Sequence, residues 1–103
     1  MKILLWLYKS KIDSKDLIPI MMRITLNGER VNFPTHINIE EKAWDITRQS
    51  IKGSNELIKK YNQHLFMLRT RAWDYYSEAM KKNRVITANQ VKQYVLGVDA
   101  IYN

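Results

Sequence analysis

The chain has 103 residues and no cysteine, so it is the size of one domain and has neither a disulfide framework nor a cysteine-ligated zinc site. Its 17 Lys and Arg residues outnumber its 10 Asp and Glu residues, and the formal net charge of +7 favours a polyanionic partner, either nucleic acid or an anionic membrane surface. The first apolar run is shorter than the ~7–15 residues of a signal-peptide core, and no stretch approaches the ~20 apolar residues of a membrane span. We therefore expect a cytoplasmic protein with no membrane partner, no small-molecule substrate and no cofactor.

A short apolar run from Ile3 to Tyr8 predicts the first strand. A polar stretch from Lys9 to Leu17 follows, with turn-forming residues between Asp13 and Asp16. Both the odd-numbered and the even-numbered residues of this strand are apolar, so alternation alone does not show which side chains face the core. We place three side chains inward, namely Ile3, Leu5 and Leu7, and two outward, Trp6 and Tyr8.

Two longer strands are predicted on either side of Asn27-Gly28, a dipeptide that accepts the positive φ angles of a type I′ turn. They run from Ile18 to Leu26 and from Glu29 to Ile37, and the three strands form an antiparallel meander. Alternation with period two gives this sheet one apolar and one polar face. The inward residues are Ile20, Met22, Ile24, Leu26, Val31, Phe33, Thr35 and Ile37. The outward residues are Met21, Arg23, Thr25, Arg30, Asn32, Pro34 and His36.

Asn38 and Glu41 match a capping box, which predicts one or two helical turns that end near Trp44-Asp45. The chain up to Gly53 is predicted to be irregular or weakly extended. The next helix is the clearest element, with Ser54 as its predicted cap. Its apolar residues recur three and four positions apart, at Ile58, Tyr61, Leu65, Leu68, Ala72, Tyr75 and Ala79.

A second capping box, from Thr87 to Gln90, starts a shorter helix that Gly97 is placed to end. The apolar face of the sheet and the apolar stripe of the long helix must both be buried, and packing the helix on the sheet buries both. We therefore predict an α+β fold, in which a three-stranded antiparallel sheet packs on a long helix with a short C-terminal helix beside it.

No arrangement of residues in the chain points to catalysis. His36 and His64 are far apart in sequence, and no metal-ligand spacing, nucleophile motif or phosphate-binding glycine loop is present. We predict that this chain has no catalytic residues and binds no metal.

The outward sheet face is the candidate nucleic-acid surface. A slim sheet can enter the major groove, which is about 12 Å wide, where Arg pairs with guanine and Asn with adenine. The candidate contacts on this face are Arg23, Thr25, Arg30 and Asn32. Antiparallel sheets commonly have one polar face that is exposed to solvent. From the residues alone, this face could therefore equally be an ordinary solvent-exposed surface.

The loop after the first strand flanks this face and is predicted to hold phosphates on either side of the groove. Its candidate contacts are Lys9, Lys11 and Lys15, with Tyr8 beside them. Two further lysine pairs, Lys59-Lys60 and Lys81-Lys82, are interpreted as a solvated helix face.

Several blocks of the sequence resemble the arm-type DNA-binding domain at the N-terminus of Bacteroides-type phage and transposon integrases, which are tyrosine recombinases. The blocks include Pro19-Ile20, Arg23-Ile24-Thr25, Asn27-Gly28 and Trp44-Asp45, and the similarity covers nearly the whole chain. At Arg23 the match is strongest. The family often has a basic residue where Tyr8 stands and a glycine where His36 stands.

The resemblance implies an arm-type DNA-binding domain over residues 1–97, with residues 98–103 as the start of a linker to a core-binding domain absent from this chain. It implies sequence-specific binding of arm sites in double-stranded DNA, other recombinase protomers as further partners, and a role in DNA integration and recombination. A catalytic domain with an Arg-rich site and a Tyr nucleophile would follow in the full-length protein.

The alternative function is that of a protein-interaction module within a recombination complex. Trp6 and Trp73 would then anchor an interface. Trp73 lies off the apolar stripe of the long helix, so it packs either near Trp44 or against a missing neighbour. A third option is a fragment of an enzyme that acts on nucleic acid.

Overall fold

The computed structural model describes residues 1–97, and the predicted linker at residues 98–103 lies outside the described residues. The strands are β1 (Lys2–Leu7), β2 (Ile18–Leu26), β3 (Glu29–Ile39), β4 (Trp44–Asp45) and β5 (Ser50–Ile51), and the helices are α1 (Glu56–Lys81) and α2 (Ala88–Val95). Single turns of 3₁₀ helix occupy Lys9–Lys11 and Glu41–Ala43. The predicted α+β fold is confirmed.

The three long strands form an antiparallel sheet in the order β1-β2-β3, as the meander predicts. The hairpin between β2 and β3 has φ angles of +50° at Asn27 and +80° at Gly28. A type I′ turn needs positive φ at both positions, so the dipeptide sets the turn and, through it, the register of the two strands.

A bulge interrupts the pairing of β2 with β3, because Met21 pairs with Pro34 whereas Pro19 pairs with Asn38. The Thr35 hydroxyl donates to the Ile20 carbonyl at 2.8 Å and accepts from the Ile37 N–H at 3.3 Å, so a side chain takes the place of missing ladder bonds. His36 lies within this bulge with φ +66°, a backbone conformation that favours glycine.

The core lies between the inner face of the sheet and the two helices. Ile20, Met22 and Ile24 have no exposed surface, Leu5 is buried, and Ile3 and Leu7 pack against the same cluster. The predicted inward placement of the β1 residues is therefore confirmed. The helices contribute Leu65, Leu68, Ala72, Ala79, Val91 and Val95. α2 packs on β2 and β3, and α1 packs on α2 and β5.

Two predicted helix caps are wrong. β3 continues to Ile39, so Asn38 pairs with Pro19 in the sheet instead of capping, and the 3₁₀ turn that follows has no side-chain cap. α1 is capped by Asn55, whose side chain accepts from the Ile58 N–H at 2.9 Å, and not by the predicted Ser54. Both residue types cap well, and the position of the first helical turn decides between them.

The second predicted capping box is confirmed at the start of α2. The Thr87 hydroxyl accepts from the Gln90 N–H at 3.1 Å, and the Gln90 side chain accepts from the Thr87 N–H at 2.9 Å. Gly97 follows the helix with φ +74°, as expected of a residue that ends it. Within residues 1–97, neither helix combines the length and the apolar character needed to cross a membrane.

Candidate nucleic-acid interface

The strand register assembles the outer face of the sheet, which points away from the helices. Its side chains form three rows across the strands: Lys2, Thr25 and Arg30; Leu4, Arg23 and Asn32; Trp6, Met21 and Pro34. Every one of them is exposed or half-buried, so no described helix covers this face. The predicted outward positions on β2, and those at Arg30, Asn32 and Pro34 on β3, lie together on one open surface.

One end of the outer face is cationic. Lys2, Arg23 and Arg30 line a depression of about 430 Å³, and no described residue that lines it is acidic. The nearest carboxylate in sequence, that of Glu29, accepts a hydrogen bond from the Asn89 N–H of α2 at 3.1 Å, on the helix side of the sheet. Three cations around one concavity create a positive potential that attracts anions.

The other end of the outer face is aromatic. The Arg23 guanidinium lies 5.1 Å from the centre of the Trp6 ring, and the Trp6 and Tyr8 rings are 5.3 Å apart. The Lys11 ammonium lies 5.7 Å from the centre of the Tyr8 ring. These four residues form a cation–aromatic series that connects the middle of the sheet to the first loop.

Hydrogen bonds fix the middle row of the outer face. Asn32 Oδ1 accepts from Arg23 Nε at 2.9 Å and from Trp6 Nε1 at 3.2 Å. A single oxygen thus holds the indole and the guanidinium against each other. The two terminal amino groups of Arg23 take no part in these bonds.

The first loop differs from the prediction in one respect, because Lys9 pairs with Glu41 at 2.8 Å. Both side chains are more than half exposed, and ion pairs of that kind contribute only about 0–1 kcal/mol. Within the described part of the chain, Lys11 and Lys15 form no ion pair. The Asp13 carboxylate is engaged by the loop itself, since it accepts from the Lys15 and Leu17 N–H groups at 2.8 and 3.0 Å.

His36 departs from the predicted outward set. The bulge places it in a groove of about 180 Å³ that it lines with His64 and Arg71 of α1, and only Pro34 of the outer face borders the same groove. Sequence reasoning in turn missed Lys2 and Leu4 as members of that face. Like Trp6, they occupy even-numbered positions of β1, so the predicted outward placement of Trp6 implies that they point outward too.

A second exposed surface lies on one flank of α1. Phe66, Trp73 and Met80 are 71%, 40% and 48% exposed and stand seven residues apart, so they share one side of the helix. Trp73 contacts Tyr76 edge-on, with ring centres 5.8 Å apart, whereas Trp44 is buried in the core. We call these three residues the apolar flank.

A family described as the arm DNA-binding domain matches residues 5–92. The match begins within β1 and ends within α2, so it includes the cation–aromatic series, the middle row of the outer face except Leu4, and most of the helical layer. No curated protein and no solved structure matches the chain.

Proposed function

The chain belongs to the arm DNA-binding domain family, and on that premise we propose that it binds arm sites in double-stranded DNA as the N-terminal domain of a tyrosine recombinase. The observation that carries the proposal is the open outer face with its cationic depression. Neighbouring strands are about 4.8 Å apart, so the axes of three strands span about 10 Å, which fits a major groove about 12 Å wide.

In this proposal the outer face enters the groove and the first loop holds the DNA backbone. Arg23 lies in the middle row and reads a base edge, with Thr25, Arg30 and Asn32 around it. Phosphate contacts position a protein on the duplex, and base contacts specify the sequence. The phosphate contacts are assigned to Lys11 and Lys15, with Tyr8 beside them and Lys9 after exchange from its pair with Glu41.

The recombinase context belongs to the same proposal. The full-length protein would continue into a core-binding domain and a catalytic domain, and this chain would tether the enzyme to arm sites in the cytoplasm during DNA integration. The catalytic step would then belong to the other domains. Other recombinase protomers would be its protein partners.

Salt dependence of binding tests the proposal. Each lost phosphate contact should make the slope of log affinity against log salt shallower by about 0.9. We expect the double variant Lys11→Ala/Lys15→Ala to bind mixed duplex DNA more weakly and with a shallower slope, as measured by fluorescence anisotropy from 50 to 200 mM salt.

The matched control is Lys59→Ala/Lys60→Ala, which removes the same charge from the exposed side of α1. It should keep the wild-type slope. Equal losses in the two double variants would contradict the proposed interface, because binding would then depend on net charge and not on the outer face.

A second candidate function is the docking of another protein on the apolar flank of α1. Contiguous exposed apolar patches mark protein–protein contact sites, and the three exposed side chains of the flank follow one side of α1. Chemical-shift mapping separates the two functions. Shifts on β1, β2 and β3 upon addition of duplex DNA support the DNA interface, and shifts confined to Phe66, Trp73 and Met80 support the protein interface.

A further inference from the structure

We infer that Trp6 and Asn32 are positioning residues that hold Arg23 to read guanine, so that the outer face selects duplex sites with a G·C pair opposite its middle row. The inference rests on the proposed function, because it names the base that the same surface would recognise. It is carried by two hydrogen bonds to one oxygen and by one cation–aromatic contact.

The bonds at Asn32 argue against adenine as the base it reads. Bidentate pairing with adenine needs the Asn oxygen to accept from the base and the amide nitrogen to donate to it. Both lone pairs of Asn32 Oδ1 are taken, one by Arg23 Nε at 2.9 Å and one by Trp6 Nε1 at 3.2 Å. Adenine could bind Asn32 in this way only after one of these bonds breaks.

The same bonds leave Arg23 suited to guanine. The guanidinium carries five N–H donors in a planar fork, and the bond from Nε uses one of them. The terminal amino groups keep the geometry that matches O6 and N7 of guanine, the commonest specific contact in the major groove. A lysine in this position has no planar fork and would contact guanine only as a point charge.

Trp6 restrains the guanidinium from a second direction. Its ring lies between Arg23 and Tyr8, with ring-centre distances of 5.1 Å and 5.3 Å, and its indole N–H is bound to Asn32. A side chain held before binding loses less rotamer entropy on contact with the base, which favours affinity at that position. Guanine selection therefore depends on residues that need not touch DNA.

Selection from a random duplex library, followed by anisotropy on the enriched sites, tests the inference. Wild-type protein should enrich guanine at one position, and Arg23→Lys should weaken that preference. Asn32→Ala and Trp6→Phe should weaken the preference, measured as a smaller ratio of affinity for the selected site to affinity for mixed competitor DNA. Arg48→Lys, the same change at an exposed arginine outside the three rows, is the matched control and should keep the preference.

Base analogues and the free protein give two further measurements. 7-Deazaguanine lacks the N7 acceptor but keeps O6, so replacing the selected guanine with it should lower wild-type affinity by about 5-fold, the lower end of the ~1–3 kcal/mol for a whole bidentate contact. In the protein without DNA, the Arg23 Nε–H should exchange with water more slowly than that of Arg30, and Asn32→Ala should remove the difference. This readout reports on positioning without relying on DNA.

The possible outcomes separate the inference from the proposed function. Enriched sites without guanine, or a wild-type preference retained in Asn32→Ala, overturn the inference and leave DNA binding intact. Equal exchange rates at Arg23 and Arg30 overturn the positioning role. Wild-type protein that binds no duplex overturns the proposed function, and the inference fails with it.

Discussion

The two faces of the sheet use alternate residues of the same strands, yet different forces hold them. On the inner face Ile20, Met22 and Ile24 have no exposed surface, and the helices fix them by packing. On the outer face Arg23 is half-buried and is fixed by Asn32 and Trp6 through hydrogen bonds and ring contact. The inner face should therefore determine stability, and the outer face should determine recognition.

The largest expected effect separates two adjacent methionines of β2. Met22 is fully buried and Met21 lies half-buried on the outer face. We expect Met22→Ala to lower the free energy of unfolding by about 2–5 kcal/mol, since it leaves a cavity in the core. Met21→Ala should cost well under half as much. Urea denaturation of both variants measures the difference, and similar losses would show that the outer face is also part of the core.

Arg23→Ala should have the opposite profile. We expect it to weaken binding to selected DNA by about 1–3 kcal/mol and to relax the sequence preference, whereas its free energy of unfolding should fall by only about 1 kcal/mol, the net value of one hydrogen bond. Anisotropy and urea denaturation on the same preparation give both values. A large loss of stability would mean that Arg23 is structural and that the contrast between the faces is wrong.

Thr87→Ala should affect the inner side of the molecule alone. Loss of an N-cap costs about 1 kcal/mol, and α2 packs directly on β2 and β3. We expect the free energy of unfolding to fall by that amount, so that thermal unfolding occurs at a lower temperature. DNA affinity should be unchanged at temperatures where the protein is folded. Weaker binding under those conditions would show that α2 controls the outer face.

Local patterns predict this fold well wherever neighbours in sequence decide the outcome. The Asn27-Gly28 turn, the parity of the strands and the Thr87 capping box each depend on a few adjacent residues. The bulge was not predictable, because the Thr35 hydroxyl bonds to Ile20 across the sheet. The hydrogen bond between Trp6 and Asn32 was not predictable either, because it joins positions 26 residues apart. It depends on the register of all three strands and not on either residue type.

The smallest predicted effect concerns His36 in the bulge, which belongs neither to the inner face nor to the outer face of the sheet. His36 is exposed and has φ +66°, which strains any residue with a Cβ atom, and a left-handed backbone costs about 1–2 kcal/mol for such residues. Glycine avoids that cost but loses more entropy on folding, by about 0.5–1 kcal/mol relative to alanine. We therefore expect His36→Gly to be more stable than His36→Ala by roughly 0.5 kcal/mol, measured by urea denaturation of the pair.

Both variants should bind DNA like the wild type, because His36 lies with His64 in the groove beside α1 and not on the outer face. An alanine variant at least as stable as the glycine variant would contradict the strain, and weaker DNA binding by both would extend the interface beyond the three rows to the edge of β3.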